Sequence, residues 1–127
     1  MSIYEFFHCI KKIIPNIDEK YTLHLQLNNE FLAHVFFEDD VCSEIRSIAI
    51  KQDELKLRQL FDLIEKALIE GDDYLQEVII ITVLAGIGDD KKALNNSRRY
   101  MGEKTIMKSY EVEEYWGRCE SAGDILS

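Results

Sequence analysis

Apolar residues recur every three to four positions in five stretches of the chain, which is the spacing of an amphipathic helix. The pattern predicts helices over residues 2–14, 40–50, 54–70, 73–85 and 105–116. Local signals agree with these bounds. Ser2 and Glu5 have capping-box spacing, and Pro15 cannot continue a helix. Gly71 follows the third stretch, where a left-handed residue commonly ends a helix.

Residues 21–37 carry a different pattern. Tyr21, Leu23, Leu25 and Leu27 alternate with polar residues, which is the period of a half-buried strand. A turn after Leu27 and a returning apolar strand would complete a short β-hairpin over 21–37. The alternative is a short helix followed by an irregular apolar segment, and the sequence leaves both open.

The run from 78 to 85 is apolar on every side, which predicts a helix at the centre of the fold. The residues predicted to lie deepest are Ile80, Ile81, Val83 and Leu84. The fold class expected is mainly α, a single compact helical domain of about five helices over residues 1–127. Residues 118–127 are expected to form a loose tail.

Several features favour a cytoplasmic protein. No apolar run approaches the roughly 20 residues that a membrane helix needs. The N-terminus lacks the basic start and the cleavage site of a signal peptide. Cys9, Cys42 and Cys119 are odd in number and widely spaced, which fits reduced thiols rather than a disulfide framework.

The net charge of −9, from 24 acids and 15 bases, restricts the partners of the chain. An acidic protein repels nucleic acid and attracts basic proteins, chiefly through faster association. Solubility alone is the competing explanation. Residues 91–108 carry six bases and one acid between acidic segments. They either pair with those segments or form a second contact patch of opposite sign.

The sequence contains no motif for catalysis or metal binding. His8, His24 and His34 lack the spacing of a zinc site, although a hairpin would bring His24 and His34 together. The Gly-Asp-Asp turns at 71–73 and 88–90 lack the alternating ligands of a calcium loop. Phosphate loops, nucleophile elbows and Cys-x-x-Cys pairs are also missing. A binding protein is therefore expected rather than an enzyme, without cofactor or metal.

The order of several segments resembles a known family. The segments are 31–39, 60–68 with Gly71-Asp72, 78–84 with a following Gly-x-Gly, 99–102 and the late Trp116. Together they resemble a bacterial domain family, formerly of unknown function, that includes immunity proteins of contact-dependent growth inhibition and related polymorphic toxin systems. The resemblance covers about residues 31–118. Ala33 and Glu38 stand where the family pattern has proline and glycine.

The resemblance implies a protein that binds and neutralises a cognate toxin. That toxin is expected to be a nuclease, with tRNA as one candidate substrate, and a nuclease must present a basic surface to nucleic acid. Covering that surface calls for acidic and aromatic contacts. The expected toxin contacts are Glu38, Asp39, Asp40, Asp72, Asp73, Glu111, Glu113, Glu114, Tyr115 and Trp116. The first alternative function is a small acidic adaptor or regulatory subunit for another intracellular protein. The second is a small enzyme whose site the sequence does not reveal, and a deep polar pocket with perturbed carboxylates or histidines would favour it.

Two members of this set are the strongest candidates. The aspartates at 39–40 and 72–73 also suit helix N-termini, so their presence has a structural explanation. Glu113 and Glu114 stand late in a predicted helix, where negative charge opposes the dipole. Their reversal to lysine is expected to leave the fold intact and to slow toxin association. The aromatic candidates have a competing role in ordinary packing. They are Tyr74, Tyr100, Tyr110, Tyr115 and Trp116.

Overall fold

Seven helices make up residues 1–118, the part of the chain that the computed structural model describes. They are α1 (Ile3–Ile13), α2 (Ile17–Asn28), α3 (33–50), α4 (Glu54–Glu70), α5 (73–88), α6 (Lys91–Arg98) and α7 (Glu103–Tyr115). The prediction of one mainly helical domain is confirmed, with two helices more than expected. Apart from Arg118, the tail predicted over 118–127 lies outside the described residues. None of these seven helices combines the length and apolar character that a bilayer crossing needs.

Helices α3 and α5 each contain a π-helical stretch, in which a turn is widened by about one residue. The stretch in α3 is Phe37–Val41 and that in α5 is Val78–Leu84. The α-helical parts are Ala33–Phe36 and Cys42–Ile50 in α3, and Asp73–Glu77 and Ala85–Gly88 in α5. The two π-helical stretches pack against each other, so both irregular turns lie at one helix–helix contact.

Cys42 and Arg46 of α3 bind backbone carbonyl groups of α5. The Cys42 Sγ donates to the carbonyl oxygens of Thr82 and Val83 at 3.6 and 3.5 Å. Arg46 Nη1 donates to the carbonyl of Gly86 at 2.7 Å. Burial raises the pKa of the Cys42 thiol to about 12, so the thiol keeps its proton at neutral pH.

Of the two alternatives left open for residues 21–37, the β-hairpin is wrong, and the segment begins with a helix as the other alternative expected. The apolar residues that follow are also helical rather than irregular. Helix α2 carries apolar residues on two faces, and this produces the alternation of apolar and polar residues that also fits a strand. Ile17 and His24 are buried, whereas Leu23 and Leu27 are 54% and 74% exposed. Asn29 ends the helix in the left-handed conformation with φ of 60°, a usual C-terminal cap.

The two histidines proposed to meet across strands lie on different helices and have separate partners. His24 Nε2 accepts the backbone N–H of Leu32 at 3.0 Å and so caps the start of α3. His34 Nδ1 lies 2.5 Å from the Thr82 hydroxyl, and its Nε2 lies 3.4 Å from Glu77 Oε2, which joins α3 to α5. Within residues 1–118, no cluster of three or more potential metal ligands is found.

The core combines an aromatic cluster with the inner face of α5. The cluster is formed by Phe6, Phe7, Tyr21, Phe31, Phe36 and Phe37, whose neighbouring rings have centroids 4.7–6.5 Å apart. Helix α5 contacts α3, α4 and α7, so its predicted central place is confirmed. Val83 and Leu84 are buried as predicted, but Ile80 is half-buried and Ile81 is 55% exposed. The prediction that Ile81 is a core residue is therefore wrong.

The helix ends around Gly71 differ in detail from the prediction. Gly71 has φ of −71° and ψ of 152°, so it is extended rather than left-handed. Asp72 is the N-cap of α5, and its carboxylate accepts the Leu75 N–H at 2.8 Å. Asp73 is the first residue of the helix, where an acid favours the dipole.

Helix α7 is capped by a residue of another helix. Its N-cap position is Gly102, which has no side chain to accept the free N–H groups. Glu65 of α4 takes this role: it accepts the N–H of Lys104 at 3.1 Å and the N–H and hydroxyl of Thr105 at 2.9 and 2.8 Å. Burial alone raises the pKa of Glu65, but the hydrogen bonds from Thr105 and Lys104 outweigh it and hold the pKa below its ordinary value.

Replacing Glu65 with alanine should lower the free energy of unfolding by about 1–2 kcal/mol at neutral pH, because several donors lose a charged acceptor. The loss should shrink below a pH of about 4.3, the ordinary glutamate pKa. A carboxylate with a depressed folded pKa stabilises the fold above its unfolded pKa and loses that effect as pH falls through the folded pKa. Urea unfolding at neutral and at acidic pH measures the cost of Glu65→Ala and its decrease at low pH.

Asp62→Ala, at an exposed position of the same helix, is the control and should change stability by less than about 0.5 kcal/mol. A Glu65→Ala cost no larger than that of the control at neutral pH would contradict the capping role.

Candidate protein-binding groove

An apolar groove with a volume of about 650 Å³ lies between α5 and the end of α7. This aromatic groove is lined by Ile80, Ile81, Glu111, Val112, Tyr115 and Trp116. Tyr115 is 83% exposed and Trp116 is 54% exposed, and Ile81 stands beside them. Large apolar side chains gathered at a surface mark sites where proteins or ligands bind.

Helix geometry brings these side chains together. The π-helical stretch of α5 turns Ile79 into the core and leaves Ile81 facing solvent. On α7, Val112 is buried and forms the floor of the groove, while Tyr115 and Trp116 stand at its edge. The Tyr115 and Trp116 rings are 5.5 Å apart at 89°, a favourable edge-to-face arrangement.

A smaller polar pocket of about 330 Å³ adjoins the aromatic groove and shares Ile81 and Trp116 with it. Its other lining residues are Glu38, Thr82, Ala85, Gly86, Asp89 and Arg118. Arg118 forms ion pairs with Asp89 and with Glu113 behind it. The groove and the pocket together are lined by three acids and one base, so their combined surface is negative.

Glu113 is buried, contrary to the sequence prediction. It is only 3% exposed, and its carboxylate accepts Arg118 Nη2 at 2.7 Å. It cannot contact a partner directly. Because lysine at this buried position would place a second cation beside Arg118, we expect Glu113→Lys to destabilise the fold rather than leave it intact.

The acidic run at 38–40 is divided between two surfaces, since consecutive residues of a helix point in different directions. Glu38 faces the polar pocket, whereas Asp39 and Asp40 line a second depression with exposed Leu23, Leu27 and Val35. Burial raises the pKa of Asp40 above its ordinary value, although the charge of Lys20 opposes this. Of this acidic run, only Glu38 lines the surface beside the aromatic groove.

The remaining acidic candidates are spread along α5 and α7. Asp72 and Asp73 lie at the start of α5, about 12 Å of helix rise before Ile81. Glu111 lines the aromatic groove and pairs with Lys108 at 3.1 Å. Glu114 is exposed but does not line the groove. Of the ten predicted contacts, the structure therefore brings together Glu38, Glu111, Tyr115 and Trp116.

The other tyrosines have partners outside the groove. Tyr74 packs edge-on against His34 with ring centroids 5.8 Å apart. The guanidinium group of Arg58 lies 5.3 Å from the Tyr100 ring, and that of Arg98 lies 4.0 Å from the Tyr110 ring. Arg98, in the basic stretch, thus stacks on an aromatic residue.

The groove and pocket residues that were not among the predicted contacts are Ile80, Ile81, Thr82, Ala85, Gly86, Asp89, Val112 and Arg118. The apolar pattern of 78–85 pointed the other way for Ile81, because a helix that is apolar on every side is usually buried. Arg118 carries no local signal either, because its position depends on how the chain turns after α7.

Residues 1–118 thus form an all-helical domain with an aromatic groove beside an acidic pocket at one surface. The chain belongs to the family described as "Domain of unknown function (DUF7674)", whose profile matches residues 7–117. No curated protein and no solved structure shows detectable similarity to the chain.

Proposed function

We propose that this protein is an immunity protein, which binds a cognate bacterial toxin and covers its basic active-site or substrate-binding surface. The observation that carries the proposal is the aromatic groove. Ile81, Tyr115 and Trp116 are exposed together beside carboxylates, and this is the composition of a protein-binding hot spot.

Charge determines the kind of partner. The groove and the adjoining polar pocket contain Glu38, Asp89 and Glu111, and their one base, Arg118, is held by Asp89 and Glu113. A basic protein surface complements this arrangement, and the net charge of −9 steers such a partner toward it. A nuclease domain has the required basic surface, because it must hold a polyanionic substrate.

The backbone beside the groove supports the same proposal. The π-helical stretches at Phe37–Val41 and Val78–Leu84 contribute Glu38, Ile80 and Ile81 to the groove and the pocket. Such widened turns occur frequently at functional sites. In the proposed mechanism, an apolar side chain of the toxin enters the aromatic groove while flanking arginine or lysine residues meet the carboxylates. The bound protein then excludes nucleic acid from the toxin surface.

Co-expression with the open reading frame next to this gene tests the proposal. The expected result is that the neighbour is toxic alone and harmless together with this protein. Trp116→Ala should remove the protection, whereas Tyr110→Ala, on the same helix but outside the groove, should retain it. A harmless neighbour, or a toxic one against which this protein gives no protection, would contradict the immunity function and favour the adaptor function. Protection that Trp116→Ala leaves intact would place toxin binding on another surface.

A further inference from the structure

The chain turns back onto α5 immediately after α7, through contacts made by Arg118. The backbone N–H of Arg118 donates to the Glu113 carbonyl at 2.9 Å. Its guanidinium donates from Nη2 to the Glu113 carboxylate at 2.7 Å and to the Ala85 carbonyl at 2.9 Å, and from Nη1 to Asp89 at 2.5 Å. One side chain therefore joins the end of α7 to the end of α5.

Two glycines allow this arrangement, one through the space beside it and the other through its backbone conformation. A Cβ atom at Gly88 would overlap the carboxylate of Glu113 and crowd the guanidinium of Arg118. Gly117 has φ of +68°, the left-handed conformation that favours glycine, and it reverses the chain between Trp116 and Arg118. The backbone on both sides of the ion pair is thus shaped to hold it.

We infer that Arg118 and Glu113 are positioning residues, which hold Trp116 and Tyr115 at the edge of the aromatic groove. Trp116 lies only two residues before Arg118, and both line the polar pocket next to Ile81. Without the ion pair, the end of α7 loses its side-chain attachment to Ala85 and Asp89, and Trp116 gains freedom relative to Ile81. Helix ends without tertiary contacts fray readily.

The inference deepens the proposed function and rests on it for its biological meaning. A preorganised aromatic edge binds more tightly, because fewer side chains must be immobilised on binding. The position of Trp116 in the free protein can nevertheless be measured without any partner.

Trp116 is the single tryptophan of the chain, so its fluorescence reports this position directly. In Arg118→Ala, the emission maximum should move to longer wavelength and acrylamide should quench the emission more strongly than in wild type. Arg118→Lys should give intermediate values, since one ammonium group cannot reach all three acceptors in the geometry of the guanidinium fork. Arg58→Ala, which breaks an exposed ion pair with Glu54, is the matched control and should leave both values unchanged.

Circular dichroism separates positioning from unfolding. The inference expects Arg118→Ala to keep the helical signal of wild type while its tryptophan signal changes. Wild-type emission and quenching in a folded Arg118→Ala would overturn it. If Arg118→Ala unfolds, the double variant Glu113→Gln with Arg118→Gln replaces it, because this variant removes both charges and keeps a hydrogen-bonding pair. A folded double variant whose emission maximum moves to longer wavelength supports the inference, and one with wild-type emission and quenching overturns it.

In binding to the toxin, Arg118→Ala should weaken affinity about three- to tenfold. A changed tryptophan signal with no toxin binding by wild type would refute the proposed function and leave the positioning role standing.

Discussion

Ile79→Ala should lower the free energy of unfolding by about 2–5 kcal/mol, whereas Ile81→Ala should lower it by less than about 0.5 kcal/mol. The two residues lie two positions apart on α5 and have the same side chain, yet Ile79 is 0% exposed and Ile81 is 55% exposed. Truncation of Ile79 leaves a cavity among close-packed neighbours, while truncation of Ile81 leaves only water in its place.

Urea denaturation of the two variants beside wild type measures the difference. Equal, large losses would mean that Ile81 is covered in the folded protein, which would remove the exposed apolar residue from the groove. Equal, small losses would mean that the π-helical stretch of α5 is not the packed centre of the fold. In either case the geometry of the groove would need revision.

Trp116→Ala should weaken binding of the cognate toxin by about 2 kcal/mol or more, which is about 30-fold in the dissociation constant. Tryptophan at the centre of an interface is among the residues whose truncation costs most. Trp116 is 54% exposed in the free protein, so its removal should change stability little. The loss should therefore appear in affinity rather than in folding.

Tyr110→Ala provides the control for this experiment. Tyr110 is 46% exposed on the same helix, and its ring packs under Arg98 outside the groove. Its truncation should leave toxin affinity unchanged. Isothermal titration calorimetry of wild type, Trp116→Ala and Tyr110→Ala with the toxin compares the three affinities. A larger effect at Tyr110 than at Trp116 would move the binding surface to the side of α7 that carries the basic residues.

Helices with one apolar face could be predicted closely from the sequence. Helix α1 ends at Ile13, two residues before Pro15. Helix α4 begins after Asp53, which accepts the Lys56 N–H at 3.3 Å as an N-cap. In both cases the signal is local, because a cap or a helix breaker lies within a few residues of the boundary. Helix α2 has apolar residues on two faces, and only its tertiary contacts with the aromatic cluster and with Leu32 decide its conformation.

The candidate site was predictable only in part, for a similar reason. Tyr115 and Trp116 could be identified as aromatic candidates, but their exposure depends on the turn at Gly117. Glu113 was predicted to contact the toxin, because a negative charge late in a helix opposes the dipole and so has no local structural explanation. Its partner Arg118 follows the helix end, and the burial of the pair against Ala85 is a tertiary property. The capping role of Glu65 could not be predicted from the sequence either, because the helix that it caps begins 38 residues later in the chain.

The salt dependence of toxin binding by wild-type protein tests the central claim most directly. Trp116 fluorescence can follow association in a stopped-flow instrument at low and at high ionic strength. The proposed function predicts that association with the toxin is fast at low salt and falls steeply as salt rises, because opposite charges steer the encounter. It also predicts that Trp116→Ala, followed by a label on the toxin, dissociates faster with little change in association. An association rate that does not respond to salt, or a complex that Trp116→Ala leaves unaltered, would contradict recognition of a basic toxin through the aromatic groove.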